Sequence, residues 1–208
     1  MLSIAVLVSG GGTNLQALID AQNNGIIING QISCVISSRE SVLALERAKQ
    51  NGIPSCVISR KNYETAAEFD HALVCKLKEV KTDLVVLAGF LSILGSEVTA
   101  AYENKIINVH PALIPSFCGA GFYGLHVHEE VLKYGVKVTG ATVHFVSGVV
   151  DGGAIIAQKA VEVKEDDTPQ TLQRRVMEQA EWTILPRAVA LFCDGKLKVQ
   201  DGRVKILV

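Results

Sequence analysis

An asparagine, a histidine and an aspartate carry the most chemistry in this chain. Asn108 and His110 stand in Ile107-Asn108-Val109-His110-Pro111, and positions i and i+2 of a strand point to the same side. Their amide and imidazole therefore converge on one small region, and Pro111 ends the strand. Asp151 stands in Val150-Asp151-Gly152-Gly153, where two glycines after a carboxylate allow a tight, close-approach turn. An aspartate beside a histidine favours the charged imidazolium and raises its pKa. An asparagine amide is uncharged at every pH and offers an N–H to an oxygen that gains charge. Together they read as a proton-transfer pair with an oxyanion donor. The rival reading is a capped strand end with a satisfied histidine. Ser9 and Ser116 lie near turns, but neither sits in G-x-S-x-G, and Cys118 is the thiol candidate for a nucleophile. The expected chemistry is direct attack by a substrate amine on an acyl carbon. His144, in Thr142-Val143-His144-Phe145, reads as structural or supporting. His126 and His128 are two apart on an expected helix, so their rings diverge and no metal pair is expected.

A second segment with binding chemistry is Ser9-Gly10-Gly11-Gly12-Thr13-Asn14, between an apolar strand and a helix. N–H groups at a helix N-terminus lack partners, and the helix dipole is positive there. Glycines let that backbone approach a phosphate closely. Leu15 stands where a G-x-G-x-x-G fingerprint needs its third glycine. No acidic residue around Cys34 to Glu40 is placed for a ribose, and the P-loop lysine is missing. A single phosphate is expected rather than a pyrophosphate. The bland alternative is a glycine turn that only reverses the chain.

These groups need a scaffold, and the apolar pattern supplies one. Ile4 to Val8 is a short continuous apolar run, the mark of a strand buried on both faces. Thr13 or Asn14 is placed to cap the next helix, whose Leu15, Leu18 and Ile19 keep helical spacing. Ile32–Ser37, Ser55–Ile58, Leu84–Ala88 and Ile106–Val109 read as further strands. Val42–Gln50 and Tyr63–Lys81 read as helices between them. That alternation argues for right-handed βαβ units and a parallel sheet. Gly124–Lys133 reads as another helix. Lys137–Val146 and Ile155–Val163, joined by a short loop, suit an antiparallel pair at one edge. Thr168-Pro169 opens a long helix, with proline in the first turn where its missing N–H does no harm. Leu197–Val199 and Val204–Leu207 around Asp201-Gly202 read as a terminal hairpin.

Composition agrees with an α/β domain. The 208 residues are 49% hydrophobic and 20% charged, which excludes a disordered chain. Lys plus Arg is 20 against 21 for Asp plus Glu, net −1, so no footprint for a nucleic acid is expected. No apolar run is long enough to span a membrane, and the first residues do not read as a signal peptide. Five cysteines without a C-x-x-C suggest neither a disulfide framework nor zinc, and fit a reducing cytoplasm. One domain over residues 1–208 is expected.

The motifs together resemble a known family. They are Val8-Ser9-Gly10-Gly11-Gly12-Thr13-Asn14-Leu15, Leu87-Ala88-Gly89-Phe90, and Ile107-Asn108-Val109-His110-Pro111-Ala112-Leu113-Ile114-Pro115. Gly124-Leu125-His126, Thr142-Val143-His144-Phe145-Val146 and Asp151-Gly152-Gly153 follow. Over roughly residues 1 to 192 the chain resembles the phosphoribosylglycinamide formyltransferases, folate-dependent enzymes of purine synthesis. The Asn-x-His-Pro stretch with the downstream His and Asp-Gly-Gly is shared by the wider formyltransferase superfamily. The first-strand loop narrows it to the glycinamide branch. The resemblance implies a three-layer αβα fold with a mostly parallel, Rossmann-like sheet and a C-terminal β-hairpin. It implies transfer of a formyl group from the co-substrate 10-formyltetrahydrofolate to the amine of phosphoribosylglycinamide, without a metal. It assigns the ribose phosphate to Gly12, Thr13 and Asn14. It assigns the folate pocket to Leu91, Ser92, Ile93, Leu94, Asn108 and the loop Ser147, Gly148, Val149, Val150, Asp151. His110 becomes the proton donor, Asp151 the group that raises its pKa and relays protons through water, and Asn108 the holder of the formyl oxygen. The family also has a Glu near the glycine amine, five residues before a helix proline. Counting back from Pro186 gives Glu181, and counting forward from Arg175-Val176 lands on Ala180.

Two departures stand out. Leu91-Ser92 replaces a frequent Met-Arg that can meet the folate's glutamate tail. The stretch Pro115 to Gly124 is longer than the family's usual turn, and Ser116–Tyr123 reads as a lid with glycine hinges. The rival enzyme is a formyltetrahydrofolate hydrolase, expected to carry an extra N-terminal regulatory domain. A methionyl-tRNA formyltransferase is expected to add a basic C-terminal domain. A nucleotide-binding module without chemistry is the rival from another class. Small-molecule substrates, no nucleic acid, no membrane and a monomer or homodimer are the expected partners and state.

Overall fold

A computed structural model describes residues 1–207. Val208, the last residue of the expected domain, lies outside the described residues. Seven strands form one sheet in the order β3-β2-β1-β4-β5-β6-β7. β1 (Leu2–Val8), β2 (Gly30–Ser37), β3 (Ser55–Val57), β4 (Leu84–Leu87) and β5 (Ile106–His110) run parallel. β6 (Val138–Phe145) and β7 (Ile155–Glu162) are antiparallel to their neighbours, with β7 at the edge. A small separate hairpin, β8 (Leu197–Gln200) with β9 (Arg203–Ile206), follows.

Two apolar layers explain why the sheet is buried on both faces. Alternate residues of β1 point opposite ways. Ile4, Val6 and Val8 join one cluster with α1 (Thr13–Asn23), α2 (Leu43–Gln50), α5 (Leu125–Tyr134), α6 (Pro169–Val176) and α7 (Trp182–Cys193). Ala5 and Leu7 join the other, against α3 (Ala66–Glu79) and α4 (Ser96–Ala101). The strand order reverses between β1 and β4, with α1 leaving toward one face and α4 lying on the other. In open α/β sheets that reversal opens a crevice at the carboxyl ends of the strands.

The expected strands are all present, and the element boundaries differ in instructive ways. α3 starts at Ala66 rather than Tyr63, because Thr65 and Glu68 form a reciprocal capping box there. A 3₁₀ turn at Arg60–Asn62 precedes it. α4 has no counterpart in the expected elements; it is six residues long and only Val98 of it is buried. The long helix begins at Pro169 behind the Thr168 cap, as expected, but one π-helical turn, Met177–Glu181, divides it. Such turns inside helices often mark functional sites.

Candidate active site

A cavity of about 710 Å³ lies at the crevice. Gly12, Thr13 and Asn14 line one end of it, where β1 passes into α1. Leu91 to Leu94, after β4, form another wall. Asn108 and His110 enter from β5, Ser147, Gly148, Val150 and Asp151 from the β6–β7 loop, and Glu181 from the π turn. The expected binding residue Val149 does not line it. Its side chain is 68% exposed, turned outward by a tight turn in which Gly152 N–H donates to the Val149 carbonyl at 3.0 Å.

The glycine loop is built for close approach at Gly12. Gly12 is the N-cap of α1 at φ 71°, and a Cβ there would stand 2.7 Å from Ala44 Cβ. The expected side-chain cap by Thr13 or Asn14 is absent, because those side chains turn toward the π turn. Thr13 Oγ1 donates to Met177 Sδ at 3.6 Å, and Asn14 Nδ2 donates to Glu181 Oε2 at 2.6 Å. Ser9 Oγ accepts from Leu91 N–H at 2.8 Å and bonds Ser38 Oγ at 2.6 Å, so it ties three loops together rather than acting as a nucleophile. Arg39, next to Ser38, also lines the cavity. Its guanidinium has no hydrogen-bond or carboxylate partner among the described residues. Sequence reasoning missed it, because its loop reaches the cavity through contacts between distant segments, Ser38 Oγ with Ser9 Oγ and Ala44 N–H with the Gly10 carbonyl at 3.2 Å.

Asn108 sits opposite His144 in the β5–β6 register. His144 Nδ1 is 2.8 Å from the Phe145 carbonyl, so that nitrogen carries the proton. Its Nε2 is then free to accept from Asn108 Nδ2 at 3.2 Å. That contact sets the orientation of the amide and uses one of its two N–H bonds. The other remains for a ligand oxygen. The expectation of a supporting role for His144 thus has a definite geometry.

His110 and Asp151 meet beside it. His110 Nε2 donates to the Phe117 carbonyl at 2.8 Å, and Nδ1 is 3.6 Å from Asp151 Oδ2. Burial lowers the His110 pKa below its ordinary value, and the attraction of Asp151 offsets this only in part. Asp151 does raise it, but desolvation outweighs the carboxylate. Burial works to raise Asp151. The charge that His144 carries only when protonated, the Gly119 N–H at 2.9 Å and the His110 ring outweigh it and hold the carboxyl below the usual range. The segment Ser116–Tyr123 therefore touches both partners through its backbone, at Phe117 and Gly119. Phe122 and Tyr123 add aromatic surface to the cavity. Two features count against Cys118 as a nucleophile. Its thiol donates to the Pro115 carbonyl at 3.3 Å, and burial with the Asp151 charge pushes its pKa up.

Two buried titratable groups complete the site. Glu181 is 6% exposed, whereas Ala180 is wholly buried in the core, so the backward count selects the residue that reaches the cavity. Burial pushes the Glu181 carboxyl up to about 7 against the bond from Asn14. His128 is fully buried, and neither ring nitrogen has a partner among the described residues. Burial and the His110 ring push it down to about 4. The divergence from His126 is as expected: His126 lies exposed beside Glu129 while His128 lines the cavity.

The formyl transferase family matches residues 2–189. The chain is 45% identical over 97% of its length to the trifunctional purine biosynthetic protein adenosine-3 of Bos taurus, and spans only 19% of that protein. It is 40% identical to a phosphoribosylglycinamide formyltransferase of Haemophilus influenzae, over 97% of this chain and 92% of the relative. A crystal structure of glycinamide ribonucleotide transformylase 1 from Symbiobacterium toebii superposes with a TM-score of 0.94 at 41% identity, covering 100% of this chain and 95% of that one. A formyltetrahydrofolate deformylase of Pseudomonas syringae shares the fold, with a TM-score of 0.85 over 100% of this chain and 66% of that one, at only 22% identity. The chain belongs to the formyl transferase family, among its phosphoribosylglycinamide formyltransferases.

Proposed function

We propose that the chain transfers the formyl group of 10-formyltetrahydrofolate to the glycine amine of N1-(5-phospho-D-ribosyl)glycinamide. The observation that carries this is one cavity with a helix N-terminus at one end and the Asn108–His110–Asp151 cluster beside it. The amide N–H groups of Gly12, Thr13 and Asn14 at the positive end of α1 suit a phosphate, and Arg39 adds a cation. Glu181, held by Asn14, is within the same end of the cavity and suits the amine or hydroxyl donors of the glycinamide.

The other end fits a flat, largely apolar co-substrate. Ile93, Leu94, Val146 and Val150 supply apolar surface between the loops after β4 and β6. When bound there, the folate supplies a formyl carbon already activated for attack by an amine. The remaining steps belong to the chain. The free N–H of Asn108 donates to the formyl oxygen as it gains charge. His110, protonated on Nδ1, holds the proton that the departing nitrogen needs. Asp151 stabilises that imidazolium, while Phe117 O keeps Nε2 engaged and the ring fixed.

We further propose residues 1–208 as one catalytic domain in a reducing cytoplasm. All five cysteines are free, and no helix of the described residues is long and apolar enough to cross a membrane. A formyl-transfer assay with both substrates tests the reading, run with and without the glycinamide acceptor. Turnover that requires the acceptor supports it. Formate release at the same rate without the acceptor would assign a hydrolase instead.

A further inference from the structure

A second set of groups ordered for proton transfer lies away from the cavity. Cys75 and His71 are one turn apart on α3, with Cys75 Sγ 3.5 Å from His71 Nε2. Glu97, in the first turn of α4, places Oε1 3.0 Å from His71 Nδ1. A carboxylate only accepts, so Nδ1 presents its proton to Glu97. In the neutral ring Nε2 then presents a lone pair, and it faces the thiol. A base within reach of a nucleophile, oriented in turn by a third group, is the arrangement of an activated nucleophile. The ring lies between sulfur and carboxylate, so the three form a relay rather than a chelate for one ion.

Accessibility and surroundings narrow the chemistry. Cys75 is exposed, and the His71 and Glu97 side chains are 69% and 45% exposed, so a small reagent reaches the sulfur without opening the fold. Cys34 and Cys193 are buried, while Cys56 and Cys118 are half-buried. Cys75 sits in the interior of α3, where backbone N–H groups are spent on carbonyls four residues back. No donors are left beside the sulfur for an acyl oxyanion, which counts against acyl transfer. Attack on a disulfide generates no oxyanion and needs no such donors.

We propose that Cys75 is a thiol-modification site that takes small-molecule disulfides, with His71 as its base and Glu97 as the group that orients His71. The Cys75 proton passes to His71 Nε2, and the thiolate attacks one sulfur of the disulfide. The Cys75–sulfur bond forms as the reagent's sulfur–sulfur bond breaks. The departing thiolate leaves with the electron pair and takes the proton from His71. One mixed disulfide and one free thiol result, the small disulfide being the oxidant consumed. This inference is independent of the formyl-transfer reading, since none of the three residues lines the cavity.

Dipyridyl disulfide is a suitable neutral probe. Wild type, His71→Ala, Glu97→Ala and Cys75→Ser are each reacted for graded times, and the labelled cysteines are identified by peptide mass mapping. Circular dichroism confirms the fold of each variant, all three positions being on the surface. Cys75 is expected to be labelled first in wild type. His71→Ala is expected to slow its labelling about tenfold, below the ~10² to 10⁴-fold that a general base gives inside an enclosed site. Glu97→Ala is expected to slow it by less, and Cys75→Ser to remove the fastest phase. An unchanged Cys75 rate in His71→Ala, or labelling of Cys56 or Cys118 ahead of Cys75 in wild type, would overturn the proposal.

Discussion

His110 Nδ1 lies 3.6 Å from Asp151 Oδ2, while Nε2 of the same ring is spent on the Phe117 carbonyl at 2.8 Å. The proton that titrates is therefore the one facing the carboxylate. Burial drives the ring toward its neutral form and Asp151 draws it back. Asp151→Asn leaves only the Phe117 carbonyl to oppose burial, so the imidazolium population falls further. Under the proposed reaction, Asp151→Asn and His110→Ala each lose at least about 10²-fold in kcat with the fold intact. In Asp151→Asn the alkaline limb of the rate profile also moves to lower pH. Near wild-type turnover in either purified variant would refute the proton-transfer role.

The Asn108–His144 contact separates a donor from its support. Asn108→Ala removes the N–H offered to the formyl oxygen, and a loss of about 10² to 10³-fold in kcat is expected. His144→Ala leaves that donor but releases the amide from the 3.2 Å bond that orients it. A smaller loss is expected there, again in kcat rather than KM. Steady-state kinetics on both variants decide it. A His144→Ala defect confined to KM would show that the ring contacts substrate instead of holding Asn108.

Much of this arrangement was legible because it rests on local rules. Strand periodicity puts Asn108 and His110 on one side, and continuous apolar runs mark the buried β1 and β4. What escaped depends on contacts between distant segments. Arg39 becomes a cavity residue only because its loop packs on Gly10. His128 looks like any helical histidine until α5 lays it against His110. The π turn that carries Glu181 into the cavity leaves no periodic trace in a helix that stays apolar on one side. The N-cap falls on Gly12, which has no side chain to cap with, and the Asn14 side chain is taken by Glu181, 167 positions away. Val149 shares a loop with Asp151, but the turn closing on Gly152 sends it outward.

Gly12 and Gly11 provide a matched pair of substitutions. A side chain at Gly12 meets a left-handed φ of 71° and Ala44 Cα at 2.8 Å, whereas nothing lies within 4 Å of a Cβ at Gly11. Gly12→Ala is expected to destabilise the fold by at least about 1 to 2 kcal/mol, the cost of the left-handed backbone alone. Gly11→Ala should stay within about 0.5 kcal/mol of wild type. Denaturant midpoints measure both. Equal stability of the two variants would remove the special standing of Gly12.

Arg39 tests the phosphate end without touching the chemistry. Its guanidinium is unpartnered among the described residues and lines the cavity beside the glycine loop. Arg39→Ala is expected to raise KM for the phosphoribosyl substrate about tenfold or more, the loss of one charge-assisted hydrogen bond. It should leave kcat and the folate KM unchanged, since uniform binding is what is lost. A rise confined to the folate KM would reassign Arg39 to the co-substrate.

Glu181 and His128 set opposite pH dependences on stability. Glu181 rises from 4.5 to about 7 on folding, so the folded chain keeps a proton the unfolded chain releases. The stability it confers is complete below pH 4.5 and is lost as pH rises through 7. His128 falls from 6.5 to about 4, so the unfolded chain takes up a proton the folded one refuses. Its contribution is complete above pH 6.5 and is lost as pH falls toward 4. Between pH 4.5 and 6.5 the two slopes oppose, each at most about 1.4 kcal/mol per pH unit. Glu181→Gln keeps an acceptor for Asn14 but removes the titration, which leaves the histidine slope unopposed. Unfolding free energies at pH 5, 5.5, 6 and 6.5 should then climb more steeply with pH in Glu181→Gln than in wild type. Parallel curves for the two proteins would mean that Glu181 is already ionised in the folded cavity at the bottom of this range.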